Sequence, residues 1–331
     1  QLLSQLRVWE KGALLSVLDP WPKELGARLS PALDAGCRVK LLLCGVPGLS
    51  LTGDLAAVFS HAHLEARLLA DGAPAPDRAL YAADGVNMAV VSREMPGKAR
   101  YTALYTDEMT IDCCREAFDA LWQSAKPLFS QTVPESLTPD ALSRALEITV
   151  PERIDWLVPS LPYITMGREL LMEVLEQNRV SGRAWARVLG CQGALLGVPL
   201  RFFMPVSALR ALPDASADLR FSAGMPIALT QPQARRHLLD TAALLRAGKG
   251  VELILLQGEM PKAWERAVVC VRRNAFVSYQ DGAARRVLTT KDPSFIEQAM
   301  READRLWAGT TRQLRDQGYV AGLLEKAALL P

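Results

Sequence analysis

No apolar run in this chain reaches the roughly 18 residues that a membrane-spanning helix requires, and no signal peptide opens it. A strong charge of one sign is also missing, since 38 basic residues stand against 36 acidic ones, a net of +2. A nucleic-acid clamp usually carries a basic excess, so the chain as a whole is not one. The adjacent arginines Arg235-Arg236, Arg272-Arg273 and Arg285-Arg286 read as solvated surface rather than a phosphate track. The six cysteines are Cys37, Cys44, Cys113, Cys114, Cys191 and Cys270. They form no Cys-x-x-Cys pair and no Cys/His spacing fit for zinc. Several lie within apolar runs, as free thiols do in a cytosolic core. These absences predict a cytoplasmic protein with no structural metal and no cofactor.

Catalytic kits are missing as well. No Gly-x-Gly-x-x-Gly opens a helix, and there is no phosphate-cradling Gly-x(4)-Gly-Lys and no Gly-x-Ser-x-Gly elbow. Histidine, the usual acid–base residue at neutral pH, occurs three times, as His61, His63 and His237. His61 and His63 could share one side of a strand, but no third metal ligand is near in sequence. A polar loop or short helix before a strand at 66–69 is their expected place. His237 falls in a helical pattern, where a surface position is expected.

What is present is apolar material: 50% of 331 residues. That is enough for two cores without disulfides or metals. Residues 13–18, Ala-Leu-Leu-Ser-Val-Leu, read as a buried strand stopped at Pro20. Leu25, Leu29 and Leu33 then recur four apart on one helix face, and Gly36 fits the left-handed cap that ends it. Val39 to Cys44 is a second buried strand, which completes a β-α-β unit. A similar pattern recurs 212 residues later, linking Pro20 to Pro232, Leu33 to Leu245, Gly36 to Gly248 and Val39 to Val251. The second halves match at offsets of 187 (Asn87 to Asn274) and 185 (the helix ends Leu121-Trp122 and Leu306-Trp307). Trp122 and Trp307 are therefore expected at equivalent core positions.

The pattern predicts an α/β fold, built as two tandem copies of a β-α-β-containing unit with a helical insert between them. The expected boundaries are 1–130, 131–212 for the helical connection, and 213–331. Thr138-Pro139-Asp140 starts a helix in that connection, and residues 167–178 and 182–196 look helical. A helix-turn-helix there is the weaker reading, and connecting helices are expected.

In open α/β sheets ligands bind beyond the carboxyl ends of the strands. Asp19-Pro20-Trp21 sits at one such end, where a ring beside a carboxylate would suit a sugar or another small polar molecule. Asp107 and Glu108 follow another strand, with helix capping as the plainer role for Asp107. Glu259, Lys291 and Asp292 are the analogous candidates in the second half.

The order strand, helix, strand, then Asp84-Gly85 before a strand, then a helix ending Leu-Trp, carries a resemblance. It resembles the phospholipase D-like domain at the C-terminus of TrmB-type transcription regulators, best over 13–122 and more faintly over 225–307. Enzymes of that superfamily use His-x-Lys-x(4)-Asp. Asp84 fills the Asp slot, but the His and Lys slots hold Asp77 and Ala79, and the second half offers Trp264, Arg266 and Val271. The resemblance therefore implies the fold and ligand binding, and the residues argue against phosphodiester chemistry. It further implies a DNA-binding helix-turn-helix before this domain. A chain that begins at Gln1 rather than Met agrees with such an upstream segment.

The leading expectation is a non-catalytic, effector-sensing region of a transcription regulator. It would bind a small polar ligand, touch DNA only through the upstream segment, avoid membranes, and leave room for a homodimer. The rivals are an enzyme using a carboxylate pair such as Asp19 and Asp107, and a protein-interaction scaffold with no small ligand.

Overall fold

The computed structural model describes residues 12–17, 25–43, 58–59, 61, 63–69, 78–84, 88–94, 100–132, 152–209, 219, 225, 227–258, 267–280 and 286–329. The chain divides into two compact units, Gln1–Ser130 and Gln131–Pro331. Each is built on a mixed sheet with helices packed against it, so the α/β class holds.

The first unit runs β1 (Gly12–Val17), α1 (Leu25–Asp34), β2 (Arg38–Leu43), β3 (Leu64–Leu68), β4 (Arg78–Asp84), β5 (Met88–Glu94), β6 (Arg100–Tyr105), α2 (Glu108–Ser124) and β7 (Lys126–Pro127). Its sheet has the order β6-β5-β4-β1-β2-β3-β7. Strands β1, β2 and β3 are parallel, and β4, β5 and β6 add antiparallel to one another from β1 outward. Helix α1 buries Leu29 and Leu33 and ends as expected, with Gly36 at φ +93°. Helix α2 seats Phe118 and Trp122 against Leu42 and Leu69. The Arg67 guanidinium covers the Trp122 ring at 4.7 Å from its centroid and donates to the Trp122 carbonyl at 2.8 Å.

The second unit runs β8 (Ser130–Thr132, at the boundary), β9 (Ile154–Leu157), α3 (Arg168–Gln177), α4 (Gly182–Leu195), β10 (Leu200–Pro205), α5 (Gln231–Arg246), β11 (Val251–Leu256), β12 (Ala267–Arg272), β13 (Ala275–Gln280), β14 (Arg286–Thr290), α6 (Pro293–Gly309), α7 (Arg312–Arg315) and α8 (Gln317–Ala328). The sheet order is β11-β10-β9-β12-β13-β14-β8. Again three parallel strands, β9, β10 and β11, meet an antiparallel run of β12, β13 and β14. The six strands β9 to β14 therefore repeat the order and directions of β1 to β6.

One face of this sheet presents Trp156, Phe202, Met204, Leu253 and Leu255 to Val174 of α3, Val188 of α4, Leu238 of α5 and Leu324 of α8, all in one buried cluster. Each such side chain stabilises the unit by about 1.5–3 kcal/mol when fully buried. The other face meets α6, where Phe295 stands edge-on to Phe276 with centroids 5.0 Å apart. Strand β11 ends the sheet, and Gln317 seals its edge. The Gln317 amide oxygen accepts from the Leu253 N–H at 2.8 Å and its nitrogen donates to the Leu253 carbonyl at 3.4 Å.

Three sequence expectations are corrected here. Residues 131–212 are not a helical connection alone, because β9 and β10 lie within them at the centre of the second sheet. Each of these strands carries a charge, Asp155 or Arg201, which breaks the apolar run that marks a buried strand. The first strand of the second unit is β9, whereas the offset of 212 places the counterpart of the 13–18 strand at 225–230, where among the described residues Ala228 alone makes a bridge. The match at 212 therefore compares two different crossovers: α5 leads from β10 to β11, whereas α1 leads from β1 to β2. All parallel crossovers share a strand, a helix start and a glycine cap, so the pattern alone does not distinguish them.

Trp122 and Trp307 also part company. Trp122 is 3% exposed, whereas Trp307 is 39% exposed. Trp307 packs under the Arg315 guanidinium, 4.1 Å from the ring centroid. It ends its helix over α7 and not over the sheet core.

Candidate functional site

The carboxyl end of β9 leads into residues 158–167, which lie where an open α/β sheet would receive a ligand. Here the loop is filled by the protein itself. Leu161, Tyr163, Ile164, Thr165 and Met166 are all buried, and a single helical turn at Tyr163–Thr165 brings the chain round to α3. Side chains from α4 and α5 tie the loop down. Gln192 donates to the Met166 carbonyl at 2.7 Å and to the Ile164 carbonyl at 3.4 Å. Asp240 accepts from the Gly167 N–H at 2.8 Å. A Cβ at Gly167 would stand 2.7 Å from Asp240 Oδ2, so any side chain there displaces the carboxylate that holds the loop.

His237 is the centre of this arrangement. Its Nε2 lies 3.1 Å from the Pro162 carbonyl and 3.1 Å from Thr165 Oγ1. The Thr165 hydroxyl is 2.8 Å from that of Thr241 and donates to the Pro162 carbonyl at 2.8 Å. Burial pushes the His237 pKa down to about 4, against the upward pull of its bond to Pro162. The ring is therefore neutral near pH 7. The expected surface position is corrected: His237 is 3% exposed, because its one polar edge has internal partners.

A second polar cluster lies on the other face of the sheet. Asp155 of β9 and Arg201 of β10 are paired residues. The Arg201 guanidinium donates to Asp155 at 2.7 and 3.0 Å and to Asp304 of α6 at 2.7 Å. Arg153 joins from the rim, 3.1 Å from both carboxylates. Burial pulls the Arg201 pKa down, but the two carboxylates more than reverse this and leave it above its ordinary value. All charges here are matched by neighbours, so the cluster reads as structural.

The sequence-named site residues are not gathered at one place among the described residues. Asp19, Trp21 and Glu259 lie outside those residues. Asp107 is the N-cap of α2 and accepts from the Thr110 N–H at 2.8 Å. Asp292 is the N-cap of α6 and accepts from the Phe295 N–H at 2.9 Å. Glu108 is exposed in the first turn of α2, where its charge suits the helix dipole. Lys291 is exposed beside Asp292.

His61 and His63 stand before β3 as expected, with ring centroids 5.4 Å apart. His61 Nδ1 accepts the His63 N–H at 3.1 Å, and its Nε2 is 3.4 Å from Asp34. Among the described residues no group of three or more His, Cys, Asp or Glu could hold a metal. The surface reading of Arg272 is corrected, since it is 1% exposed, with Glu152 3.8 Å away. Sequence reasoning missed the Asp155–Arg201 pair and the His237–Thr165–Thr241 group. A lone charge inside an otherwise apolar strand was the available signal for the pair.

The antiparallel strands β4 and β12 border β1 and β9 in the two sheets. Neither they nor the residues just before them contain a histidine, because the three histidines precede β3 or sit on α5. No helix among the described residues is long and apolar enough to cross a membrane.

No family model matches the chain, and no curated protein matches it. Partial likenesses to solved structures exist. TrmBL2 is an archaeal chromatin protein whose structure shows a novel mode of DNA binding. It is 19% identical with a TM-score of 0.31, over 38% of this chain and 48% of that one. This chain thus matches about half the length of TrmBL2. Nuc from Salmonella typhimurium, a phospholipase D family member, is 13% identical with a TM-score of 0.31, over 38% of this chain and 86% of that one. A polyphosphate kinase from Porphyromonas gingivalis is 10% identical with a TM-score of 0.29, over 99% of this chain and 53% of that one.

Proposed function

We propose that this chain is a non-catalytic, effector-sensing region of a transcription regulator, built on phospholipase D-like units. The observation that carries the proposal is the missing nucleophile. The enzymes that the resemblance points to use His-x-Lys-x(4)-Asp, and the two histidine slots hold Asp77 and Trp264. In the second unit the loop after β9 is packed shut by Gln192, His237 and Asp240, which leaves that strand end to structure.

Asp107 is unsuited to be the general acid of the rival carboxylate pair. Hydrogen bonds from Thr110, side chain and backbone, hold its carboxyl below the ordinary value. A general acid working near neutrality needs the opposite shift. The ligand is a small polar molecule, with a sugar as the first class to try, and the first unit is where it binds. Asp19 and Trp21 are its contacts in this proposal.

Hydrolysis of bis-p-nitrophenyl phosphate and of plasmid DNA tests the non-catalytic half. The purified chain is expected to give no turnover above that of buffer. Turnover that persists through purification and disappears on Asp107→Asn would overturn the proposal in favour of the enzyme.

A further inference from the structure

No aspartate or glutamate occurs between Glu176 and Asp214, the longest acid-free stretch of the sequence. It holds the turn from α3 to α4, the whole of α4, and strand β10. Its arginines are Arg179, Arg183, Arg187, Arg201 and Arg210. Arg201 is engaged by Asp155 and Asp304, and Arg210 lies outside the described residues.

The other three form a row. Arg183 and Arg187 are four apart on α4, about 6 Å along its axis. Arg179 stands four residues before Arg183, in the turn. Arg179 and Arg183 are exposed, and Arg187 is half-buried. Among the described residues none of the three meets a carboxylate, and the Arg187 Nε is enclosed without an acceptor. By contrast Arg153, Arg236, Arg246, Arg301 and Arg305 each bridge to an acid. The row is kept against local preference. Arg179 has φ +53°, where glycine fits more easily. Arg183 occupies the first turn of α4, which has no acid and whose dipole disfavours a cation.

The remaining exposed positions of α4 are Gly182, Ala186, Gly190, Gly193 and Ala194. A Cβ on any of these glycines would meet nothing within 4 Å among the described residues, so packing there does not require them. A helix face of guanidinium groups and bare backbone suits a regular line of anions. An anionic membrane would call for large apolar side chains on the same face. A protein partner would call for an aromatic or aliphatic anchor. A phosphate backbone needs neither, and arginine forks match its oxygens.

We infer that α4 and the turn before it form a contact surface for nucleic acid, where Arg179, Arg183 and Arg187 hold phosphates of a duplex without reading its sequence. This goes beyond the sensing role and does not rest on it. The balanced net charge of the chain excludes a clamp made of the whole, and a local contact needs only these three residues.

Fluorescence anisotropy of the full chain with a labelled DNA duplex tests this. Affinity is expected to fall with salt on a log–log slope of about −2.7, for three phosphates at about 0.9 each. A second duplex of unrelated sequence should bind equally. Arg183→Gln alters an exposed side chain and should keep the circular dichroism. It is expected to weaken binding to both duplexes and to make the slope shallower by about 1. Arg312→Gln removes the same charge from an exposed residue of α7 and is expected to leave affinity and slope as they are. A native chain that does not bind the duplex overturns the inference. So does binding that Arg183→Gln leaves intact, or that Arg312→Gln weakens equally, and so does attachment to phosphatidylserine vesicles in place of DNA. None of these results bears on the sensing of a small ligand, so the proposed function stands or falls separately.

Discussion

Asp155 and Arg201 oppose each other on neighbouring parallel strands and meet through two hydrogen bonds of 2.7 and 3.0 Å, with both side chains almost wholly buried. The geometry is that of a guanidinium fork on a carboxylate, which is the strong form of this contact. Removing one partner strands the other charge in the interior. Asp155→Ala is therefore expected to destabilise the second unit by about 3–5 kcal/mol, read as a lower urea midpoint. The double variant Asp155→Leu, Arg201→Met should recover most of that loss, since an apolar pair of similar volume needs no solvation. A single variant that melts like the native chain would show that the pair is not buried as described.

His237 links stability to pH. Its folded pKa of about 4 lies below the ordinary 6.5. The unfolded chain therefore binds a proton between those values and the folded chain does not. The stabilisation is complete above pH 6.5, declines as the pH falls below it, and stops declining below about pH 4. The span corresponds to about 3 kcal/mol. Urea melts across that range should show this decline in the native chain and a shallower one in His237→Gln. Parallel slopes in the two proteins would mean that His237 is not sealed beneath the β9 loop.

The helix-ending tryptophans should behave differently from each other. Trp122 is covered by Phe118, Lys40 and Arg67. Trp122→Ala is expected to cost about 3–5 kcal/mol. Trp307→Ala should cost less, because its ring is 39% exposed and rests on Arg315. Equal losses would restore the equivalence that the sequence suggests.

Asp292 caps α6, and Asp292→Ala should cost about 1 kcal/mol, with Asp292→Asn close to native. Circular dichroism melts of the three proteins decide this. Should the asparagine variant fall as far as the alanine, the carboxylate has a role beyond capping.

Much of the fold was legible in the residues. Strands β2 and β11 each hold an apolar run, Leu41-Leu42-Leu43 and Leu253-Ile254-Leu255-Leu256, α1 and α5 end at Gly36 and Gly248 with positive φ, and Asp107 and Asp292 precede their helices as caps do. What escaped was strand identity in the middle of the chain. Ile154-Asp155-Trp156-Leu157 and Leu200-Arg201-Phe202-Phe203 each contain one charge. Within the four residues of β9 one charge leaves no apolar run of three, and the partner of that charge lies 46 positions away. The candidate site was less legible. A carboxylate after a strand suits a ligand and a helix N-terminus equally well in sequence, and for Asp107 and Asp292 the backbone N–H of the next turn decides. His237 was misplaced because its partners, the Pro162 carbonyl and Thr165, are distant in sequence and include a backbone atom.

The most direct test of a sensing role is a thermal-shift screen of this chain against sugars, sugar phosphates, nucleotides and common metabolites, with each hit checked for turnover. A ligand at 100 times its Kd should add roughly 2.7 kcal/mol to the folded state and raise the melting temperature visibly. The predicted result is a dose-dependent shift by a small polar ligand that is recovered unchanged and is lost on Asp19→Ala or Trp21→Ala. A hit that is consumed, or no shift from any compound, would contradict the sensing role.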